Sequence, residues 1–558
     1  MISTGNSQLL SIVSDRQGIQ RNHDDDAAGR RGRDPRASTR TWAGTGARRA
    51  SPAFLLATAS ATCALITLDT NIVAVSLPSI ARAFHAGFAA AQWLVSAYMV
   101  SFASCLLPMG ALADRYGRKR MMLLGLLAFA AASLACGLAP SVLFLNLARA
   151  AKGIGAAMLL TAALAVIAHA FPEPRARARA WAIWGMTMGI ATTVAPLVGG
   201  VITQWIGWRW IFLLNLPVCA VLLGCAWKAV GESRHVGARR VDVLGSALFG
   251  TGLASGIWAL IGSQGAGWGS AATLSRFAAC TLLLAAFVQV ERRREHAMID
   301  LALFSQARFV AAVLGMFGYA ACAQVMMTFL PLYLQNAFGW VAVQAGLGML
   351  PFAVAMVAGP YLGARLSRRL SGGAMLSAGL LLVGAGNLLT AAVAAGGGYG
   401  LVSLGMVVTG LGAGVLNGDT QKAIMACVPP ERTGMASGIS TTTRFAAIVT
   451  SIGVLGAVLA ARTHGALEAA LWAHPQVRPQ LDAAFMSRLL AGDPAHAIAG
   501  LPAPLRALVA AAAPGGFASG FAAALTVAGC LAIAVAALVW VLAARGRRAE
   551  QAASMVPR

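Results

Sequence analysis

The chain has 558 residues and a formal net charge of +24; 58% of its residues are hydrophobic and 11% charged. A soluble protein carries about 25% charged residues, so a soluble enzyme or signalling domain is excluded. The apolar residues fall instead into runs of roughly 20, enough to cross a hydrocarbon core of about 30 Å.

Residues 1–50 are polar and Arg-rich, with an acidic run at Asp24, Asp25 and Asp26. They lack the apolar stretch of a signal peptide. Their composition predicts a disordered cytoplasmic tail, which a misplaced start codon would lengthen. Apolar segments follow at approximately 53–77, 91–112, 121–139, 142–169, 181–203, 211–229 and 242–262. Seven more lie at 272–290, 309–332, 344–365, 375–395, 399–421, 436–460 and 516–543. The chain therefore reads as an all-α integral membrane protein with fourteen transmembrane helices. The nine cysteines fall within these segments or at their ends, with no CxxC pair and no sign of a disulfide framework.

The basic residues sit in alternate loops. One set carries Arg115, Arg118, Lys119 and Arg120, then Arg175, Arg177 and Arg179, then Arg234, Arg239 and Arg240, then Arg292, Arg293 and Arg294. It continues with Arg365, Arg368, Arg369, Arg432 and the tail arginines 545, 547 and 548. The other set holds little beyond Arg82, Arg209 and Arg276 before the stretch 461–515. Basic loops stay inside, which predicts cytoplasmic termini and explains most of the +24 without a nucleic-acid partner. The 461–515 stretch is expected on the opposite side, with a short surface helix at Leu481–Leu490.

Asp69 is the only acid between Ser51 and Pro108. A carboxylate inside a bilayer costs about 3 kcal/mol on insertion scales, so a lone one marks a functional candidate. In the fourth segment Arg149 and Lys152 are equally costly, and Asn146, Arg149 and Gly153 share one face. The loop Gly110-Ala111-Leu112-Ala113-Asp114-Arg115-Tyr116-Gly117-Arg118 has glycines for a tight turn and an acid placed to cap the next helix or pair with an arginine, a charge latch. In the fifth segment Gly185, Gly189 and Thr193 make a small-residue stripe, and Pro196 precedes Gly199 and Gly200. The stripe reads as a close helix interface with a gating role. Near the inner end of the twelfth segment stand Asn417, Asp419 and Lys422. Asp419 and Lys422 form either a structural ion pair or a second proton or substrate site. Gln324, Gln335 and Arg444 read as helix-contact residues, His169 as interfacial. Trp93 and Tyr98 fit an aromatic belt as well as a binding site.

These motifs together resemble the major facilitator superfamily. The loop 110–120 is similar to its signature loop, Arg149 to Gly155 to its RxxQGxG motif with Lys152 in place of Gln, and 185–200 to its antiporter motif with Ala195 before the proline. Trp208-Arg209-Trp210, Asn215-Leu216-Pro217, Asp242 to Gly245, Glu291 to Arg294 with Asp300, Pro331 to Gln335, and Pro429 to Arg432 narrow the resemblance. They point to the fourteen-helix drug:proton antiporter branch, the EmrB/QacA type. The first-helix motif of that branch, LDxTxVNVALP, is present with Asn71, Ala74 and Ser76 at three of its positions.

The resemblance spans roughly residues 53–460. It implies an N-terminal six-helix bundle (51–230), two extra helices (231–300), and a C-terminal six-helix bundle (301–544) followed by a cytoplasmic tail (545–558). It implies two halves rocking about a central cavity, with Asp69 carrying the proton and Arg149 tuning it or holding it in place. The expected function is proton-coupled export of lipophilic or cationic drugs and toxic compounds from the cytoplasm across a bacterial inner membrane. No cofactor or metal is called for. The partners are protons, a small-molecule cargo and the bilayer, with a periplasmic adaptor and outer-membrane channel in the manner of relatives in double-membrane bacteria. A proton-coupled uptake carrier for a metabolite or siderophore shares the fold, but the 185–200 motif argues against it. A membrane sensor would need a signalling domain, and no nucleotide loop, zinc motif or nucleophile elbow supports an enzyme.

Overall fold

The computed structural model describes residues 51–233, 242–294, 301–324, 326–396, 398–428, 433–474, 476 and 480–554. The N-terminal tail, Arg234, Arg239, Arg240, Asp300, the run Pro429 to Arg432 and the last four residues lie outside these. Among the described residues fourteen helices are long and apolar enough to span a bilayer. They are α1 (Pro52–Phe84), α2 (Phe88–Tyr116), α3 (Arg118–Gly137), α4 (Val142–Ala170), α5 (Arg175–Trp205), α6 (Trp210–Ala229) and α7 (Val243–Ser263). The second seven are α8 (Ala271–Arg293), α9 (Ala307–Asn336), α10 (Ala342–Leu366), α11 (Gly372–Ala394), α12 (Tyr399–Met425), α13 (Met435–Ala470) and α14 (Ala503–Gly546).

Local chemistry sets the helix ends. Ser51 and Ser141 cap α1 and α4 by accepting the amides of Phe54 and Phe144, and Asp242 caps α7 by accepting that of Gly245 at 2.7 Å. Gly117, at φ +115°, makes the turn between α2 and α3. Any side chain there would also collide with the carboxylate of Glu232. Within α9 a π-turn spans Ala320–Gln324. The Asn387 amide donates to the carbonyl of Cys322 at 2.9 Å and the Ser451 hydroxyl to that of Ala321 at 2.6 Å, so loosened backbone groups find partners inside the membrane.

The first six helices pack together mainly through α1 on α5, α2 on α4 and α3 on α4. The last six pack through α10 on α12, α11 on α12 and α11 on α14. Close approach of α10 and α12 rests on Gly359 facing Gly414, where an added Cβ would meet backbone. The two bundles meet along α5 and α10, α2 and α13, and α1 and the second half of α9. α7 leans on both α2 and α13, beside the bundle junction, and α8 packs chiefly on α7. Leucines such as Leu124, Leu143, Leu282 and Leu404 stay exposed at the perimeter, as lipid-facing side chains do.

One region departs from its expected outline. α13 runs past residue 460 to Ala470 and α14 starts at Ala503, because alanine-rich flanks continue both helices beyond the apolar runs. The stretch between them is short. Its helix Ala483–Ala491 buries Phe485, Met486, Leu489 and Leu490.

Candidate functional site

Asp69 is 2% exposed. Two cations of α4, three residues apart and hence on one face, reach it together. Arg149 Nη1 donates to Oδ2 at 2.9 Å, and Lys152 Nζ donates to Oδ1 at 2.5 Å. Asn215 of α6 donates to Oδ1 at 3.0 Å and is also 3.1 Å from the hydroxyl of Ser133 on α3. The Arg149 guanidinium lies 4.2 Å from the ring centre of Tyr98 on α2, and its Nε donates to the Leu94 carbonyl at 3.1 Å. Phe129 and Phe212 flank the Lys152 ammonium at 4.6 and 5.1 Å. Five helices thus close over a cluster of two cations and one carboxylate, and both cations are 0% exposed. Removing one partner from such a buried pair costs about 3–5 kcal/mol, so the cluster braces α1 against α4 and α6.

A separate cavity of about 2030 Å³ lies between the bundles. Ligand pockets commonly measure about 300–1,000 Å³, so this one has room for a large organic molecule. From α1 it is lined by Cys63, Thr67, Thr70, Asn71 and Ala74, which recur every three or four residues. Asp69 is not among the lining residues. Gln324, Met327, Met356, Asn417, Arg444 and Phe445 line it from the other bundle. Between cavity and cluster stands Tyr98, whose buried hydroxyl lies beside cavity-lining Thr70.

The cavity reaches the helix ends that carry the basic loops, where Asp114, Arg118, Arg177 and Lys422 line it. On the opposite face the bundles are joined. Gln335 donates to the Val75 carbonyl at 3.0 Å and Gln92 to that of Ile452 at 3.3 Å. Gly200 and Gly346 bring α5 and α10 together so closely that a Cβ on either would strike the backbone of Ala342 or Pro196. Over this seam the 480–502 segment ties the bundles further. Ser487 accepts the Phe88 amide at 3.0 Å, and Arg82 donates to the Gly492 carbonyl at 2.8 Å. The molecule is sealed at one face and open towards the other.

A sequence model described as "Major Facilitator Superfamily" matches residues 59–452. The chain belongs to the major facilitator superfamily. Within the superfamily it falls in the fourteen-helix drug:proton antiporter family. It is 36% identical to a protein named multidrug resistance protein Stp from Mycobacterium tuberculosis, over 72% of this chain and 75% of that one. It is 33% identical to a methylenomycin A resistance protein of Streptomyces coelicolor, over 74% of this chain and 87% of the relative. It is 30% identical to a tetracenomycin C resistance and export protein of Streptomyces glaucescens, over 85% and 88%. Among solved structures, a bacterial homologue of the human lysosomal transporter Spinster shares the fold. Its TM-score is 0.59 at 15% identity, covering 88% of this chain and 96% of that one. The chain is accordingly a multi-pass membrane transporter of small molecules.

Against this superfamily background the motif residues fall into distinct places. In the signature loop, Arg118 pairs with Asp114 at 2.9 Å and also reaches the Ala165 carbonyl of α4. The Arg118 amide donates to the Ser233 carbonyl at 3.1 Å, and Arg120 lies 3.7 Å from Glu232. Arg115 sits over the Tyr116 ring, while Gly110 lines the cavity against Thr161 of α4. The loop therefore locks α2, α3, α4 and the end of α6 within one bundle. Among the described residues no ion pair crosses between the bundles.

The antiporter-motif stripe is not one packing seam. Gly185 has nothing within 4 Å of a built Cβ and faces the cavity with Gly189, whereas Pro196, Gly199 and Gly200 make the tight contacts with α1 and α10. The reason is geometric: the bundles diverge along α5, so its equally spaced small residues meet different surroundings. Asp419 pairs with Lys422 at 3.1 Å on the cavity wall. Asn417 accepts the Tyr319 hydroxyl at 3.1 Å and, through its carbonyl, Arg444 at 3.3 Å.

Asp69, Val73 and Ser76 face into their own bundle rather than the cavity, and Ser76 bonds Thr203 at 2.6 Å. One further expectation changes. Tyr98 is fully buried under Arg149 and so is no belt residue. Sequence reasoning missed Asn215 as a partner of Asp69, and Ser133 as the group that holds Asn215. Asn215 stood in a quoted motif, yet nothing in its spacing ties α6 to α1.

Proposed function

We propose that this chain is a proton-driven antiporter that expels small lipophilic compounds from the cytoplasm by alternating access. Its basic loops and both termini lie on the cytoplasmic side of a bacterial inner membrane, so the cavity described above opens inward. The observation that supports the reading is a buried ion cluster and an open cavity served by different faces of one helix, α1.

Protonating Asp69 would cancel both ion pairs at once and leave Arg149 and Lys152 facing each other without an anion. That state is not accommodated by the present packing of α1, α4 and α6. The inward-open packing therefore expels a proton from Asp69 to the cytoplasm, and the cluster re-forms as cargo loads. When the seam at Val75 opens and cargo leaves, the cluster is parted and Asp69 takes up a proton from the opposite side; the empty, protonated protein returns, α1 carrying the shift between the cavity wall at Thr70 and Asn71 and the seam. One proton moves in for each cargo moved out, and the inward proton gradient sets the direction.

Dye transport into everted membrane vesicles tests this reading. Acidifying the vesicle lumen is expected to drive dye inward in wild type, the everted equivalent of export, and Asp69→Asn at equal membrane abundance to abolish it. Gradient-driven movement in the opposite sense would overturn the direction. Undiminished transport by the variant would overturn the role of Asp69.

A further inference from the structure

We infer that the cavity selects compounds bearing an acidic group, with Arg444 as the anion-binding residue; this rests on the export reading above and names its substrate class. The cavity lining contains three carboxylates, and each is already engaged by a cation. Asp114 is held by Arg118, Asp242 by Arg294, and Asp419 by Lys422. Asp69, the membrane-embedded acid of α1, lies outside the lining and is taken by Arg149 and Lys152. A lipophilic cation entering the chamber meets no free carboxylate among the described residues.

An anion meets the opposite situation. Arg444 lines the cavity and makes no ion pair among the described residues. Its Nη2 donates to the Asn417 carbonyl at 3.3 Å, its guanidinium carbon lies 5.6 Å from the ring centre of Tyr319, and its buried Nε has no partner. It sits about two and a half turns, roughly 13 Å, inside α13, too deep to be a mouth residue. An arginine at that depth is costly without an anion, and its planar fork matches a carboxylate or another oxyanion. Gln324, on the π-turn of α9, has its Oε1 buried without a partner; that oxygen accepts, so it offers a place for a donor group of the cargo and not for its acid. Arg177 and Arg179 add positive charge at the mouth and draw anions inward.

The test uses two xanthene dyes of similar shape and opposite charge, fluorescein and rhodamine 123, with the full chain in nanodiscs at one fixed pH. Fluorescence polarisation is expected to show fluorescein binding to wild type more tightly than rhodamine 123. Arg444→Gln should weaken fluorescein about tenfold or more, as loss of a charged hydrogen-bonding partner does, with Arg444→Lys retaining part of the affinity. Rhodamine 123 binding should hold or improve in Arg444→Gln. The inference is overturned if wild type fails to bind fluorescein, if it prefers rhodamine 123, or if Arg444→Gln weakens both dyes equally. Gradient-driven transport in vesicles separates the two levels. Charge-selective binding without proton-driven movement sinks the export reading and leaves the anion site standing; proton-driven movement indifferent to dye charge does the reverse.

Discussion

The two bundles handle charge in opposite ways. In the first, Asp69, Arg149 and Lys152 are packed out of contact with the cavity and paired with one another, with Arg149 Nη2 left without a hydrogen-bond partner. In the second, Asn417, Asp419, Lys422 and Arg444 stand on the cavity wall, and Arg444 keeps an unpartnered Nε. On the proposed reading, a buried, ion-paired cluster responds to a proton but offers nothing to cargo. A wall-mounted cation responds to cargo. The proposed function and the inferred anion site place coupling in one half and recognition in the other, and the following experiments break or sharpen that division.

The largest expected effect is on the buried cluster. Asp69→Asn leaves two cations without their anion and should lower thermal stability in detergent by about 3–5 kcal/mol. Adding Lys152→Gln returns the cluster to its original net charge of one. The double variant should recover a large part of that loss, because the two sites are in direct contact and couple non-additively. Lys152→Gln alone makes the cluster neutral and is expected to stabilise by about 1–2 kcal/mol, the gain tempered by lost contacts with Phe129 and Phe212. Differential scanning fluorimetry orders the four proteins. A destabilised Lys152→Gln would mean that the second cation is a structural necessity.

Gly117→Ala comes next. It forces a Cβ onto a positive φ and into Glu232, so stability should fall by about 1–3 kcal/mol. The damage should be confined to the first bundle, leaving dye binding at Arg444 intact. The smallest effect belongs to the seam. Gln335→Leu removes the hydrogen bond to Val75 and should favour opening of the sealed face by about 0.5–1.5 kcal/mol. Increased labelling of a cysteine placed at Ala74 by a reagent supplied from that face checks it.

Much of this was legible in the chain itself. Fourteen helices follow from the length of the apolar runs, and Asp69 and Arg149 announce themselves because charge in a bilayer is expensive. Lys152 stood out as a cation where the family motif has glutamine, but its role did not, since spacing along α4 cannot say which helix it faces. The same limit hid Asn215, which reaches Asp69 only through helix packing, and Ser133, which holds Asn215. Arg444 passed for a helix-contact residue because its sequence shows neither the cavity beside it nor the missing anion. The π-turn at Ala320–Gln324 left no trace either, Ala320, Ala321, Cys322 and Ala323 being as apolar and small as residues of a regular helix.

The most direct measurement reconstitutes wild type, Asp69→Asn/Lys152→Gln and Arg444→Gln in proteoliposomes and compares gradient-driven uphill movement of fluorescein with its exchange at equal concentrations. The double variant keeps the buried net charge but has no carboxylate to carry a proton. It should lose uphill movement while binding and exchanging fluorescein within about threefold of wild type, a difference under 1 kcal/mol. Arg444→Gln should fail in binding and exchange instead. Uphill transport by the double variant, or loss of binding in it equal to that of Arg444→Gln, would contradict the division of labour between the two halves.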